Sequence, residues 1–584
     1  MSLNTEIRFS EIPSIEKSRS TFDRSFSHKT TLNSADIVPL MWSEVLPGDT
    51  IQIDFSHVTR MTTPIAPVAD NAFLDVFAFY TPTRLLWEHW EEFWGENKTT
   101  YWEQPIKYKT PKLSFTDDEG SEVKAGSLIN YLGIPVGYKE NEAVRGKRIN
   151  AFPLRCYCKI YNDWFRDENL KQPLIEHTGD ETTLVDTDQL EYVEETSYTE
   201  VPSGAFCARA AKVHDYFTSA LPAPLKSDQV TLLGGMDGFF PVNTLFNDHE
   251  LENNDKGFPI RTSSKNVVGG LHNYLMIDAY NSANRSNGML KISSNSNGTV
   301  LDANGTNDGS HSSGVGVVPT NLWADLSNAT VSTISQLRTA FAIQRFFEAQ
   351  ARGGSRYCEF LSNIFGCTNL DARLQRSEFI GSKRFNINID QVLQTSGTGA
   401  TGVSTPQGNT AAYSCTVNAD DLCTYSASEH GYIMVLGVIR TEHSYSQGIS
   451  KEWLRDSWED YYIPQFAHLS EQAVKEIEIY AQGNEEDDEV FGYQEAWSEY
   501  RYKPNMITGK LSPQAEGSLD IWHYGDYYES KPTLSAEWIN ETPNNIARTL
   551  AVQTEPQFIM DCYFAMKWTR VMPLYSVPGL IDHM

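Results

Sequence analysis

The sequence predicts a mainly β protein, an antiparallel sandwich with long insertions between its strands. Three stretches favour this fold class. Residues 50–55 (TIQIDF) alternate strictly, so that three apolar side chains share one face. Residues 557–568 carry an apolar side chain at every second position, and residues 72–80 are apolar almost throughout, which is typical of a strand covered on both faces. A sandwich tolerates long insertions, because its loops lie at its ends.

The first part of the chain divides into an arm and the beginning of the core. The first forty residues are polar with scattered basic groups, and we assign residues 1–45 to an extended N-terminal arm. Residues 46–230 should form the first part of the sandwich with helical insertions. After the strand at 72–80, residues 84–94 predict a Trp-rich helix. Residues 155–170 predict an amphipathic helix, since apolar side chains recur there at spacings of three and four.

The second part of the core is assigned to residues 320–584. Residues 431–440 and 557–568 supply further strands. Residues 330–352 contain neither proline nor glycine and predict one long helix that ends at Gly353. Its apolar side is wider than a single stripe, so we expect it to pack on more than one side, between subunits or layers. The predicted subunit-interface residues on this helix are Leu337, Phe341, Phe346 and Phe347.

Residues 231–319 differ in composition from the rest and predict an exposed surface insertion. Between 281 and 320, most residues are Asn, Ser or Gly, and Asn-Gly dipeptides begin at Asn287, Asn297 and Asn304. Because Asn-Gly favours type I′ turns, we expect tight surface hairpins, with disorder as the alternative.

Charge and motifs exclude several classes of function. Asp and Glu number 76 against 47 Lys and Arg, and the net charge of −29 opposes nucleic-acid binding by the molecule as a whole. A GxGxxG match at 397–402 precedes Pro406 and no helical period, so it predicts no dinucleotide site. The eight cysteines show no metal-ligand spacing and are expected to be buried thiols. We therefore expect no enzyme, no cofactor and no metal site, and neither a signal peptide nor a membrane span.

Several longer motifs resemble one viral family. They are IPSIEKSRSTFDRSFSHKTT at 12–31, RCYCKIYNDWFRDENL at 155–170, HDYFTSALPAPLK at 214–226, ARGGSRYCEF at 351–360, DARLQR at 371–376, DDEVFGYQEAWSEYRYKP at 487–504 and YSVPGLIDHM at the C-terminus. This set resembles the major capsid protein of the gokushoviruses, small icosahedral single-stranded DNA bacteriophages of the Microviridae. The resemblance fades only between about residues 231 and 319.

The resemblance implies a fold, a function and partners. The fold would be an eight-stranded viral jelly-roll β-sandwich with long loop and helical insertions. The protein would assemble with itself, in the host bacterial cytoplasm, into a T=1 virion shell of about 60 copies around a circular single-stranded DNA genome. Implied partners are an internal scaffolding protein, a minor capsid or pilot protein, a small basic DNA-binding protein and a host cell-surface receptor. The insertion at 231–319 would form a threefold protrusion that contacts the host.

A capsid interior should meet single-stranded DNA through a few cations and aromatic rings. The most basic patch of the second half is a loop-like stretch, and it supplies the first candidates: Arg373, Arg376, Lys383 and Arg384. Arg19 and Arg24 of the N-terminal arm are the second choice. The alternative for these residues is a set of salt bridges to carboxylates of adjacent subunits.

A second function from another class stays open at this point. With 13 Trp, 28 Tyr and many carboxylates, the composition also suits a carbohydrate-binding or glycoside-hydrolysing β-sandwich. Such an enzyme needs two carboxylates about 5 to 9 Å apart in an aromatic cleft. A bacterial surface adhesin would instead need an export signal, and none is evident in the sequence.

Overall fold

The computed structural model describes most of the chain outside its central third. The described ranges are 19–94, 108–115, 122–185, 204–224, 375–387, 416–467 and 469–575, with strands at 242–244, 260–261, 275–280, 291–295, 298–302, 316–319, 322–324, 391–393 and 410–413 and helical residues 343–345 and 348. The chain forms two compact units, Met1–Lys226 with Ala349–Met584, and Ser227–Glu348. The predicted insertion at 231–319 falls within the second unit.

Among the described residues of the first unit, nine strands build an antiparallel sandwich. They are β1 Ser20–Asp23, β2 Phe26–Leu32, β3 Val38–Val45, β4 Thr50–Met61, β5 Ala72–Pro82, β6 Glu378–Ile387, β7 Thr416–Ser426, β8 Gly431–Thr441 and β9 Phe558–Arg570. One sheet has the order β9-β4-β7, with β1 and β2 both paired to β9. The other has the order β6-β5-β8-β3. Since β1 and β2 pair with successive stretches of β9, each sheet has four strand positions.

The connections explain how the chain holds two sheets together. From β2 onward, every step crosses to the opposite sheet except the step from β5 to β6. This order is consistent with the jelly roll that the resemblance implies. The two longest insertions lie between β5 and β6 and between β8 and β9. The predicted dispersal of the core strands along the chain is confirmed.

The core forms where the apolar faces of the two sheets meet. Inward-facing side chains of β4 and β9 are buried at every second position, as the alternation predicts. Contact between the sheets is direct, since the ring of Phe55 in β4 lies 5.8 Å from that of Phe385 in β6. Facing apolar rows of this kind supply the main stabilisation of a sandwich.

The outer face of β5 is covered by a helix. This helix runs over Phe152–Ile160 and continues as a π-helical turn over Tyr161–Phe165, so it ends earlier than the predicted 170. The ring of Phe165 lies 5.3 Å from Phe77. Strand β5 is therefore buried on both faces, which confirms the prediction for 72–80.

Two predicted elements differ from the structure. The described part of the segment expected as an N-terminal arm, residues 19–45, forms β1 and β2 at the edge of one sheet and β3 at the edge of the other. Strands β1 and β2 pair with β9 through backbone hydrogen bonds, so the polar side chains of this segment do not indicate the pairing. The Trp-rich helix expected at 84–94 is a 3-10 turn, Thr83–Leu85, and one short helix, Trp90–Phe93.

Smaller elements fill the insertions of the first unit. The short paired strands are Leu113–Phe115 with Thr183–Val185, Gln391–Leu393 with Thr410–Tyr413, Ser444–Tyr445 with Asn505–Met506, and Gln472–Lys475 with Val490–Gln494. The other helices and 3-10 turns are Leu128–Tyr131, Glu476–Ile479, Asn544–Ala547, Lys451–Trp453, Trp458–Asp460, Pro464–Phe466, Glu485–Asp488, Ser498–Tyr500, Gly509–Leu511 and Asp520–Trp522. No helix among the described residues has the length and apolar character to cross a membrane.

The second unit contains short strands and part of a helix. A hairpin pairs Lys291–Asn295 with Gly298–Asp302 through two residues, which confirms a tight hairpin at the Asn297 dipeptide. The other pairs are Leu275–Tyr280 with Gly316–Pro319 and Ile260–Arg261, and Val242–Thr244 with Leu322–Ala324. Residues 343–345 and 348 are helical, within the predicted helix at 330–352. The predicted interface residues Leu337, Phe341, Phe346 and Phe347 lie outside the described residues.

Candidate nucleic-acid contact surface

The sandwich has two edges, and the described cations predicted to face DNA divide between them. At the β6–β7 edge, the end strands of the two sheets are β6 and β7. At the β1–β3 edge, β1 and β2 end one sheet and β3 ends the other. The first edge carries Arg376, Lys383 and Arg384, and the second carries Arg19 and Arg24. Arg373 lies outside the described residues.

The β6–β7 edge is closed by direct contact between its strands. Lys383 and Arg384 lie on β6, so this part of the basic stretch is a strand and the predicted loop is wrong there. A Cβ atom on Gly381 would lie 2.6 Å from the carbonyl oxygen of Leu422, which shows how closely β6 approaches β7. The hydroxyl of Tyr425 donates to Glu378 at 2.6 Å and adds a second link.

Two cations of this edge are held by carboxylates of the same chain. The Nζ atom of Lys383 lies 2.8 Å from Asp420. Arg384 donates to both oxygens of Asp75, at 2.6 and 2.9 Å, and Arg440 donates to the same carboxylate at 3.0 Å. Asp75 is only 3% exposed. Burial alone would raise its pKa, but the two arginines outweigh burial and lower it.

Arg376 is engaged by an aromatic ring. Its guanidinium lies 4.6 Å from the ring centroid of Trp164, whose indole N–H donates to the carbonyl of Ser377 at 2.8 Å. A stacked guanidinium of this kind stabilises the local packing. The described cations of the β6–β7 edge therefore all have partners within the chain.

The β1–β3 edge is less tightly closed. His28 in β2 contacts the carbonyl oxygen of Leu40 in β3 at 2.9 Å. Arg19 donates to the hydroxyl of Thr50 at 3.0 Å and to the carbonyl oxygen of Gly48. Neither partner of Arg19 is a carboxylate, so its charge is not neutralised by these contacts.

Arg24 and Arg570 lie against one buried indole ring. Their guanidinium carbons are 4.5 and 4.7 Å from the ring centroid of Trp568. Arg570 also donates to the buried carboxylate of Asp49 at 3.1 Å. For Arg24, no carboxylate lies within ion-pair distance among the residues that the structure describes. Burial and then the charge of Arg570 lower the pKa of Arg24, while Asp49 opposes them.

A groove opens beside these two arginines. It has a volume of 430 Å³, and its lining residues are Arg24, Trp42, Ser43, Glu44, Leu46 and Arg570. We call it the Arg24 groove. Trp42 is 38% exposed, and its indole N–H donates to the carbonyl of Leu132 at 2.8 Å, which fixes the ring. A fixed exposed ring beside a cation is suited to stacking a base next to a bound phosphate.

A separate charged cluster lies buried within the long insertions. His443 lies 3.0 Å from Asp526 and 3.1 Å from Glu541, and Lys212 lies 3.3 Å from Asp526. Burial would lower the pKa of His443, but the two carboxylates raise it to about 10. The cluster therefore ties together segments that are far apart in sequence. Among the described residues, no group of His, Cys, Asp or Glu is arranged to hold a metal ion.

Comparison with known proteins identifies the family of this chain. The model of the family described as "Capsid protein (F protein)" matches residues 10–580. The chain belongs to this capsid protein family. It is 38% identical over 567 residues to the capsid protein VP1 of Spiroplasma virus 4, which covers 95% of this chain and 94% of the relative. The VP1 capsid proteins of Chlamydia phage 1 and Bdellovibrio phage phiMH2K are 35% and 34% identical, each over 98% of this chain and 97% of the relative.

These relatives confirm the resemblance to gokushovirus major capsid proteins and the capsid function. Of the two functions that the sequence left open, they support the capsid function. Family membership assigns no DNA contacts, so the role of the basic residues of this capsid protein rests on geometry. Trp42 and Arg570 were not predicted as neighbours of Arg24. The signal was non-local, because Arg570 is brought beside β1 only by the pairing of Ser20 with Arg570 at the end of β9.

Proposed function

We propose that this chain is the major capsid protein that assembles, as a T=1 shell of about 60 copies, around a circular single-stranded DNA phage genome. Membership in the capsid family over residues 10–580 carries the proposal. A rigid sandwich supports it, since a subunit of fixed shape lets one heterologous contact close into a shell. Each contact between copies needs only modest affinity, because many must break together before a subunit leaves.

Exposed aromatic side chains supply a surface for contacts between copies. Trp453 is 83% exposed, and Trp458, Tyr502 and Met506 are exposed in the same insertion between β8 and β9. Rings of this insertion also contact one another, since Trp458 lies 6.0 Å from Phe466 and Tyr462 lies 6.3 Å from Tyr500. Exposed apolar side chains that lie together mark interaction surfaces in soluble proteins. We assign this insertion to contacts with neighbouring copies in the shell.

Sedimentation of the purified protein, followed by electron microscopy of stained fractions, tests the assembly. We expect fast-sedimenting hollow spheres with small protrusions. The internal scaffolding protein belongs to the proposal, so the test includes its co-expression. A chain that stays monomeric with that partner present would contradict the proposal.

Charge bears on the remaining partners. The net charge of −29 does not neutralise a packaged genome, so the virion needs another source of cations. We propose that a small basic DNA-binding protein supplies it and that a minor capsid or pilot protein completes the particle. Mass spectrometry of purified virions tests both, since each should co-purify with the shell at a constant ratio.

The insertion at 231–319 is proposed as the threefold protrusion that contacts a receptor on the host cell surface. Its Asn-, Ser- and Gly-rich composition supports an exposed and replaceable module. Deleting residues 240–315 should leave shells intact while adsorption to host cells is lost. Unchanged assembly together with unchanged adsorption would remove the host-contact role.

The first set of basic residues remains a proposed DNA-facing set. Changing Arg373, Arg376, Lys383 and Arg384 to Gln should lower the DNA content of particles and leave empty shells intact. Because Arg384 binds the buried Asp75, the variant that keeps Arg384 and changes only the other three residues is the control for loss of shell stability. Normal genome content in stable shells of the fourfold variant would remove these residues from the set.

A further inference from the structure

The Arg24 groove combines two features that suit single-stranded nucleic acid. Its first feature is an available cation. Arg570 is bound to the buried Asp49, whereas Arg24 has no carboxylate within ion-pair distance among the described residues. A guanidinium whose neighbours include a second cation gains from binding an anion from outside the chain. Arg24 is exposed, so an anion from solution reaches it.

Glu44 also lines the groove, so its position bears on the charge of Arg24. In the register of β3 with β8, Glu44 lies directly opposite Tyr432. Among the residues that the structure describes, no ion pair joins Glu44 to Arg24, so the charge of Arg24 stays available.

The second feature is an aromatic ring held in place. Trp42 is fixed through its indole N–H, which donates to Leu132, and its ring lies 6.2 Å from that of Tyr432. Since the ring is already ordered, stacking a base on it costs little side-chain entropy. The volume of 430 Å³ falls within the range of small-ligand sites.

From this geometry we infer that the Arg24 groove binds one nucleotide of single-stranded DNA, with a phosphate on Arg24 beside Arg570 and the neighbouring base stacked on Trp42. The inference rests on the proposed function, because it places the enclosed genome against the β1–β3 edge. It also ranks the predicted DNA contacts. Arg24 is available to a phosphate, whereas Lys383 and Arg384 are bound to carboxylates within the chain.

The test measures binding of a fluorescent 12-residue oligothymidylate to the full-length protein by anisotropy, over a range of salt concentrations. Each phosphate contact to a single strand contributes about 0.7 to the slope of log affinity against log salt. Arg24→Gln should therefore reduce the magnitude of the slope by about 0.7 and weaken binding. Lys139→Gln, the matched control, removes an exposed cation that is paired with Glu122 in the insertion between β5 and β6, and it should leave both slope and affinity unchanged.

A second variant tests the stacked base. Trp42→Leu should lower affinity by about tenfold, the usual scale for losing one stacked base, without changing the salt slope. Arg24→Lys separates charge from packing, because it keeps the cation but loses the planar stack on Trp568. It should retain the slope of the parent. Melting curves of all variants exclude loss of folding as the cause of weaker binding.

Further arms distinguish the source of the phosphate. If the groove takes any phosphate, millimolar inorganic phosphate will displace the oligothymidylate and Trp42→Leu will have no effect, which overturns the nucleotide assignment. If Arg24→Gln keeps the slope and affinity of the parent, the groove assignment is wrong. Shell assembly is scored by electron microscopy on the same proteins. Intact shells with an unchanged slope in Arg24→Gln overturn only this inference, whereas a parent chain that forms no shells even with scaffolding protein overturns the proposed function.

Discussion

The two edges of the sandwich carry cations that look alike in the sequence and differ in the fold. At the β6–β7 edge, Lys383 and Arg384 are each bound to a carboxylate of the same chain. At the β1–β3 edge, Arg24 lies beside a second arginine and a groove. A local count of basic residues favours the first edge, because its stretch has more of them. The availability of a cation depends instead on the partner that the fold brings to it.

Sheet pairing produces this difference. Arg384 lies directly opposite Asp75 in the register of β6 with β5, so the ion pair is a cross-strand pair. At the other edge, the pairing of β1 with β9 places Ser20 opposite Arg570 and adds a cation in place of an anion. Both outcomes depend on contacts between residues hundreds of positions apart.

The largest expected effect comes from removing the anion of the β6–β7 edge. Asp75→Ala leaves Arg384 and Arg440 without their shared carboxylate and should lower the free energy of unfolding by about 3 to 4 kcal/mol. This range is at the lower end for a broken buried pair, because the Arg384 side chain is 43% exposed. Urea unfolding measures the change. A loss below about 1 kcal/mol would show that the closed edge does not depend on this carboxylate.

Acid should loosen the same edge from inside. His57 in β4 lies under it, with its ring 4.9 Å from that of Phe385, and burial lowers its pKa to about 4. The His57 imidazole binds a proton more readily in the unfolded chain than in the folded one. The free energy of unfolding is therefore at its full value above about pH 6.5 and falls as the pH drops toward 4. Protonation of His57 should lower the free energy of unfolding by about 3 kcal/mol over this range. The free energies of unfolding at pH 7.5 and pH 4.5 should differ less in His57→Gln than in the parent protein. If the free energy falls equally in both, another group causes the acid sensitivity.

Close approach of the strands gives a smaller effect. Gly381→Ala would place a methyl group against the carbonyl oxygen of Leu422, and the strands must separate to accept it. We expect a loss of about 2 kcal/mol, the usual scale for overpacking. Thermal unfolding measures it, with Gly133→Ala as control, since nothing lies within 4 Å of a Cβ at Gly133. In the control, the expected cost comes only from the positive φ of Gly133. If the control loses more stability than Gly381→Ala, steric contact with Leu422 is not the cause of the loss.

The smallest effect belongs to the exposed ion pair. Asp420→Ala removes the partner of Lys383, and both side chains are partly exposed to solvent. Its effect on the free energy of unfolding should be below about 1 kcal/mol. The variant also sharpens the comparison of edges, because it makes Lys383 available. If Asp420→Ala raises the affinity for oligothymidylate by as much as Arg24→Gln lowers it, then DNA contact at the β6–β7 edge is limited by the availability of a cation.

Much of the sandwich was predictable because its strands carry their own pattern. The alternation in β4 and β9 specified which side chains are buried, and the continuous apolar run of β5 indicated cover on both faces. Strand β6 was assigned to a loop because Gly381 and two cations conceal an alternation that begins only at Phe385 and Ile387. The groove was not predictable, since Trp42 and Arg570 become neighbours of Arg24 only through sheet pairing and the meeting of two edges.

The pairing of β1 with β9 determines when this sheet can form during synthesis of the chain. The hydroxyl groups of Thr21 and Thr569 share a hydrogen bond of 2.9 Å across 548 positions, so β1 has no partner strand until β9 has been synthesised. At about 5 to 20 residues per second, that strand waits roughly half a minute to two minutes. A nascent chain therefore has an unfinished β1–β3 edge and lacks the shape that a neighbouring copy would meet. Synthesis of β9 is thus required before this edge of the sandwich is complete.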